Sequence, residues 1–229
     1  MRILLTNDDG IDAPGLVALR DAVACLGGRP VIVAPAEPHS GCGHRVTTDR
    51  PLVVHDYGGD RFAVAGTPAD CVRLALAELA ADAAVVIAGI NAGGNLGADI
   101  HHSGTVAAAR EAALHGRPAL AASHYHRRGT TIDWERAASW LEAVLRQVRL
   151  DSVDPGEFWN VNLPDLPAGA EPPAIVECRL DASPFALGYA ATPEGWRYQA
   201  SYHDRPRVPG GDVDVCFGGA IAVSRLRVV

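Results

Sequence analysis

The sequence contains no lysine, and all twenty of its basic residues are arginine. That absence excludes a Walker-type phosphate loop, a Schiff-base enzyme and a phospho-receiver domain, because each relies on a lysine amine. Neither a G-x-S-x-G elbow nor an H-E-x-x-H helix occurs, so serine-hydrolase and zinc-peptidase readings lack their signatures. The five cysteines (Cys25, Cys42, Cys71, Cys178, Cys216) are scattered and form no C-x-x-C pair. Their odd number and spacing argue against a structural zinc site and suit a reducing compartment. An excess of positive charge is missing too: the formal net charge is -7, which leaves no general basic surface for a nucleic-acid duplex. Phosphate chemistry, if present, must be handled locally on a small ligand. No apolar run approaches a membrane-spanning length, and the first nine residues turn acidic too early for a signal peptide. No membrane partner and a cytoplasmic location are therefore expected.

Nearly half of the 229 residues are hydrophobic and 21% are charged, so one α/β domain with a sizeable core is expected. Ile3 to Asn7 reads as a buried strand. Pro14-Gly15 opens a helix with Leu16, Leu19, Val23 and Leu26 at helical spacing, stopped by Gly27-Gly28. Val31 to Ala34 completes a right-handed β-α-β unit, the start of a doubly wound and mainly parallel sheet. Residues 36–66 break the rhythm around Leu52 to Val54 and Phe62 to Val64, which predicts a hairpin inserted beside the sheet. Thr67-Pro68-Ala69-Asp70 predicts a capped helix start, and Ala84 to Ile87 a central strand followed at once by a glycine-rich loop from Ala88 to Gly97. A helix from Ser103 to Leu114, a strand from Pro118 to Ala122, an amphipathic helix over 133–149 and a last core strand from Trp159 to Leu163 follow. The core is thus placed at about 1–164. The proline- and glycine-rich remainder, about 165–229, is expected to be an extended β arm used in oligomerisation.

In such sheets ligands gather outside the carboxyl ends of the strands. The adjacent carboxylates of Asp8 and Asp9 after the first strand suit Mg²⁺ or Mn²⁺, a cation relieving their mutual repulsion. Asn7-Asp8-Asp9-Gly10 is also good turn chemistry. Ser40, between His39 and Gly41, can complete a metal shell, approach a phosphate or sit in a solvated turn. Asn91 can ligate a hard cation through its amide oxygen, or occupy a left-handed turn. Ser103-Gly104-Thr105, at a helix start, is a phosphate cradle or a simple N-cap. His101 and His102 either donate protons or are merely exposed.

Ile3 to Ile11 with Ala13-Pro14-Gly15, Ala34-Pro35, Ser40-Gly41, Gly66-Thr67-Pro68-Ala69-Asp70-Cys71-Val72, Gly89 to Gly97 and Ser103 to Ala109 together resemble the SurE (survival protein E) family of nucleotidases. The resemblance implies 5'/3'-nucleotidase activity on nucleoside monophosphates, a Rossmann-like core, one divalent cation and a homodimer or homotetramer. Carried over by motif, the metal would be held by Asp8, Asp9, Ser40 and Asn91, with Asp8 and Asp9 catalytic. Asn95, Ser103, Gly104 and Thr105 would surround the substrate phosphate. The second half matches through Asn160 to Pro164 and Gly211-Asp212-Val213, with a short stretch between them, and His39 stands where a larger basic residue is common. The competing readings are a phospho-receiver, opposed by Asn91 and the missing lysine, and a nucleotide-binding module without turnover.

Overall fold

The computed structural model describes residues 1–184, 187–199 and 202–228. Its centre is a nine-stranded sheet. In chain order the strands are β1 (Arg2–Thr6), β2 (Arg29–Pro35), β3 (Val54–Asp56), β4 (Arg61–Val64), β5 (Ala83–Ala92), β6 (Ala119–His124), β7 (Glu157–Leu163), β8 (Ile175–Glu177) and, after a separate hairpin, β11 (Ile221–Arg227). That hairpin is β9 (Tyr189–Thr192) with β10 (Gly195–Tyr198). Across the sheet the order is β3-β4-β2-β1-β5-β6-β7-β11-β8. The six central strands from β4 to β7 are mutually parallel. Numbered by their own succession they run 3-2-1-4-5-6, the doubly wound order, with its reversal between β1 and β5.

Alternation along β1 shows how both faces are covered. Ile3 and Leu5 point to one core with α1 (Pro14–Ala22) and α4 (Trp134–Gln147), whereas Leu4 points to the other with α2 (Pro68–Leu74) and α3 (Gly104–Leu114). All three side chains are fully buried, each stabilising the fold by roughly 1.5–3 kcal/mol over exposure. The helices begin where their local chemistry dictates. Pro14 supplies the fixed φ of a first turn in α1. Thr67 and Asp70 form a reciprocal capping box on α2. The Asp133 carboxylate accepts the Arg136 N–H at the start of α4. A short α5 (Asp212–Phe217) precedes β11. No helix among the described residues is long and apolar enough to cross a membrane.

The inserted hairpin expected within residues 36–66 is present at 54–64 and forms the edge of the sheet, with β4 parallel to β2; three other expectations are corrected. Asp60, in its turn, receives Arg2 at 3.0 Å and Arg29 at 2.6 Å, fixing the hairpin to the starts of β1 and β2. Strand β5 does not end at Ile87, because it continues through the glycines to Ala92. A Cβ on Gly89 would lie 2.2 Å from the Ala122 carbonyl oxygen. Glycine there is what lets β5 pass against β6, where local reading takes it as a breaker. Strand β6 extends to His124. Finally, Trp159 to Leu163 is not the last core strand: β11 returns to pair antiparallel with β7, and β8 lies beyond it. Ile221, Ala222 and Val223 are buried there, so among the strands of the described residues the β9–β10 hairpin alone remains outside the large sheet. A proline- and glycine-rich texture hid strands whose partners are some sixty residues away.

Candidate active site

The topological reversal puts the carboxyl end of β1 beside that of β5, and the sequence has placed its acidic pair at the first. Thr6 pairs with Ala88. Four residues further along β5, the Ala92 N–H donates to Asp9 Oδ2 at 3.0 Å, joining the acidic pair to the segment that carries Asn91. Asn91 donates its own amide N–H to the Gly93 carbonyl at 2.7 Å. The amide oxygen is thereby left as the atom it can offer a ligand. The loop with Ser40 attaches at the same point, since the His39 N–H donates to the Asp8 carbonyl at 2.7 Å. Ser40 itself is exposed in a turn.

Helix α3 closes the site from below. Its N-cap is Ser103, whose hydroxyl accepts the Val106 N–H at 3.0 Å. The Thr105 hydroxyl donates to Asp8 Oδ1, so what Thr105 offers an incoming anion is reduced. The Ser103 hydroxyl proton and the opening N–H groups of the helix remain suited to a phosphate, because they have no partner within the helix. Gly104 is required by close approach: a Cβ there would sit 2.8 Å from Asp8 Cβ and 3.0 Å from Cys42 Sγ. His101 and His102 are both exposed just before the helix.

Asp8 is buried, and its carboxyl is pushed up to about 6 by that burial, with the Thr105 hydroxyl opposing the shift and the neighbouring Asp9 charge adding to it. Among the described residues no cationic side chain is paired with this carboxylate. The candidate ligands Asp8, Asp9, Ser40 and Asn91 offer oxygens: two carboxylates, a hydroxyl and an amide. Such a hard donor set fits Mg²⁺ or Mn²⁺ better than a softer ion. The nearby Cys42 is kept a neutral thiol by burial and by Asp8, so it does not alter that preference. Among the described residues no group of three His, Cys, Asp or Glu side chains is placed to hold an ion, which makes the neutral oxygens necessary to any cation site here.

Asn95 has a different setting from the other phosphate candidates. Its amide N–H donates to the Ser123 hydroxyl at 2.7 Å and its backbone N–H to Asn162 Oδ1 at 2.8 Å. Its carbonyl accepts from Asn160 at 2.9 Å and Asn162 at 3.0 Å. This buried network anchors the glycine-rich loop across β6 and β7. Asp212 extends the anchoring, since its carboxylate accepts the N–H groups of Gly97, Asp181 and Val213.

A cleft of about 760 Å³ opens beside this loop, lined by Gly93, Gly94, Tyr125, His126, Tyr202 and His203 among others. Tyr125 stacks on Phe217 with ring centres 4.4 Å apart, and its hydroxyl meets His203 Nδ1 at 2.8 Å. Tyr202 donates to Asp99 at 2.8 Å, and Arg205 pairs with the same carboxylate at 2.6 Å. The sequence reading missed all of these aromatic residues. Their partners are about eighty to one hundred positions away in the chain, and no local periodicity marks them.

The model of the survival protein SurE family matches residues 3–180. A relative from Nostoc sp. is 48% identical over 228 residues, with both chains covered in full. The 5'-nucleotidase SurE of Roseobacter denitrificans is 37% identical over 249 aligned positions, covering 99% of this chain and 94% of its own. The crystal structure of the Sure protein from Aquifex aeolicus superposes with a TM-score of 0.86 at 33% identity, over 100% of this chain and 94% of that one.

Proposed function

The chain belongs to the SurE family and is a 5'-nucleotidase, and on that premise we propose that it hydrolyses nucleoside 5'-monophosphates, and 3'-monophosphates as a second class, with a divalent cation held by Asp8, Asp9, Ser40 and Asn91. The observation that carries the reading is the convergence of the acidic pair, the end of β5 and the start of α3 at the one point where the strand order reverses. When bound, Mg²⁺ or Mn²⁺ supplies Lewis-acid polarisation of a phosphoryl oxygen and eases deprotonation of the attacking water. The chain's own residues do the rest. Asp9, half-exposed and fixed by the Ala92 N–H, orients the water and takes its proton. The Ser103 hydroxyl and the first N–H groups of α3 donate to the equatorial oxygens as charge builds on them. The aromatic cleft takes the nucleoside, stacking being open to any base. Recovery of homoserine at Asp8 or Asp9 after borohydride reduction of the reacting enzyme, the mark of an aspartyl phosphate, would replace water attack with attack by the carboxylate.

Incubation with 5'-AMP, 3'-AMP, GMP and p-nitrophenyl phosphate tests the proposal. Phosphate release is expected with Mn²⁺ or Mg²⁺, to be lost in EDTA and restored by excess cation. Nucleotides should turn over with a lower KM than p-nitrophenyl phosphate, which leaves the cleft empty. Release that EDTA does not touch would sink the metal assignment.

Association with a second copy, as dimer or tetramer, and a cytoplasmic location belong to the same proposal. The hairpin leaves Tyr189 60% and Trp196 75% exposed, with Tyr198 beside them, an apolar surface of the kind that oligomers cover. The five cysteines, all free, suit a reducing compartment. Light scattering should give a multiple of the 24.0 kDa chain mass, and Trp196→Asp should lower it. A monomeric wild type would contradict the association.

A further inference from the structure

Residues 36–53, which carry Ser40, form no helix or strand. A connection of this length without regular structure needs something else to hold it. Two buried carboxylates, from two different helices, meet it along its length. Asp70, in the first turn of α2, accepts the Thr47 N–H and the Thr47 hydroxyl, both at 2.7 Å. The cap residue Thr67 donates its hydroxyl to the Arg45 carbonyl at 2.6 Å. Glu111, in the middle of α3, meets His44 Nε2 at 2.6 Å. Glu111 also meets His115 at 2.9 Å and Arg73 at 3.6 Å, so its charge is balanced without His44. Asp70 is 1% exposed and Glu111 5%, and hydrogen bonds to buried carboxylates are among the stronger ones.

Other contacts of this loop, His39 N–H to the Asp8 carbonyl and Gly43 N–H to the His102 carbonyl, are backbone to backbone. They fix a path but require no particular side chain. We propose that Asp70 and Glu111 are positioning residues: acting through Thr47 and His44, they latch the loop so that the Ser40 hydroxyl is held over Asp8, and the latch sets how tightly the site takes its cation. This rests on the reading of Ser40 as a metal ligand. It also gives the Gly66-Thr67-Pro68-Ala69-Asp70 motif a task beyond starting a helix, since the same carboxylate caps α2 and grips the loop.

The test alters the loop side and leaves both helices whole. Thr47→Val removes the hydroxyl at nearly constant shape, His44→Ala removes the imidazole, and Thr47→Ser restores the hydroxyl. In EDTA, trypsin should cut the double variant Thr47→Val/His44→Ala after Arg45 about tenfold faster than wild type, a loss of local closure, while cleavage elsewhere and the melting temperature stay close to wild type. The Mn²⁺ concentration for half-maximal activity should rise about tenfold, and Thr47→Ser in place of Val should recover most of it. Unchanged cleavage after Arg45 together with an unchanged Mn²⁺ requirement would overturn the latch. Should the double variant melt much lower, Thr47→Val alone carries the same comparison with a smaller expected shift. If wild-type activity proved indifferent to metal, the nucleotidase site reading would fall, and the proteolysis result would still decide whether the loop is latched.

Discussion

Replacing Asp8 with asparagine is expected to abolish nucleotide hydrolysis while making the metal-free protein more stable. The carboxyl is buried and titrates at about 6 in the fold against an ordinary 3.8. The sign follows from proton binding: between those two values the folded state holds a proton that the unfolded chain has lost, so stability falls as pH rises through this window and stays lowered above it. Keeping the carboxylate ionised at neutral pH costs the metal-free fold on the order of 3 kcal/mol. Asparagine can still accept the Thr105 hydroxyl but carries no charge. At pH 7.5 in EDTA, Asp8→Asn should therefore melt higher by roughly 3–8 °C, from about 1–3 kcal/mol of regained stability in a chain of this size. The gap should close as pH is lowered toward 4. Activity with saturating Mn²⁺ should drop by about three orders of magnitude, the several kcal/mol that metal-assisted charge stabilisation supplies. Scanning calorimetry across pH and a phosphate-release assay read the two arms. A variant that keeps full activity would remove Asp8 from the site, and one that melts lower at pH 7.5 would remove the burial argument.

Gly89→Ala is expected to have the second largest effect, on stability first and on activity through it. The added Cβ would fall 2.2 Å from the Ala122 carbonyl oxygen and 3.1 Å from its carbon, both backbone atoms of the adjacent strand, and Gly89 has φ +136°. Neither the neighbour nor the residue can yield cheaply, because β6 is fixed on its other side by β7. A loss of about 3 kcal/mol or more is expected, seen as a melting temperature lower by roughly 6–12 °C. Asn91 lies two residues further along the same strand, so the Mn²⁺ requirement should rise even at temperatures where the variant is folded. Gly59→Ala serves as the control. It too has positive φ, +62°, but nothing lies within 4 Å of its added Cβ. It should cost about 1 kcal/mol and leave activity intact. Equal effects from the two substitutions would show that backbone strain, and not the approach of β5 to β6, dominates at Gly89.

The chain by itself determined the β-α-β opening, the capped starts of α2 and α3, the amphipathic helix α4 and the acidic pair after β1, because each is written in residues within a few turns or a strand of one another. Local chemistry suffices for a Pro14 at a helix start, a Thr67 that caps three residues ahead, or an Ile3-Leu4-Leu5 run that must be buried on both faces. The tertiary structure decided what depends on distant partners. It extended β5 through Gly89, since only the passage of β6 reveals a glycine as close packing and not as a break. It returned 221–227 to the sheet beside β7 and gathered Tyr125, Tyr202, His203 and Phe217 into one aromatic cluster. It also divided residues that look alike in sequence: Thr105 gives its hydroxyl to Asp8, Asn95 is bound into a buried network with Ser123, Asn160 and Asn162, and Asp70 and Glu111 meet the loop of Ser40. The reason is physical. A short-range pattern specifies backbone conformation and which face is apolar, whereas the partner of a polar side chain is set by strand order and register, which only the assembled sheet supplies.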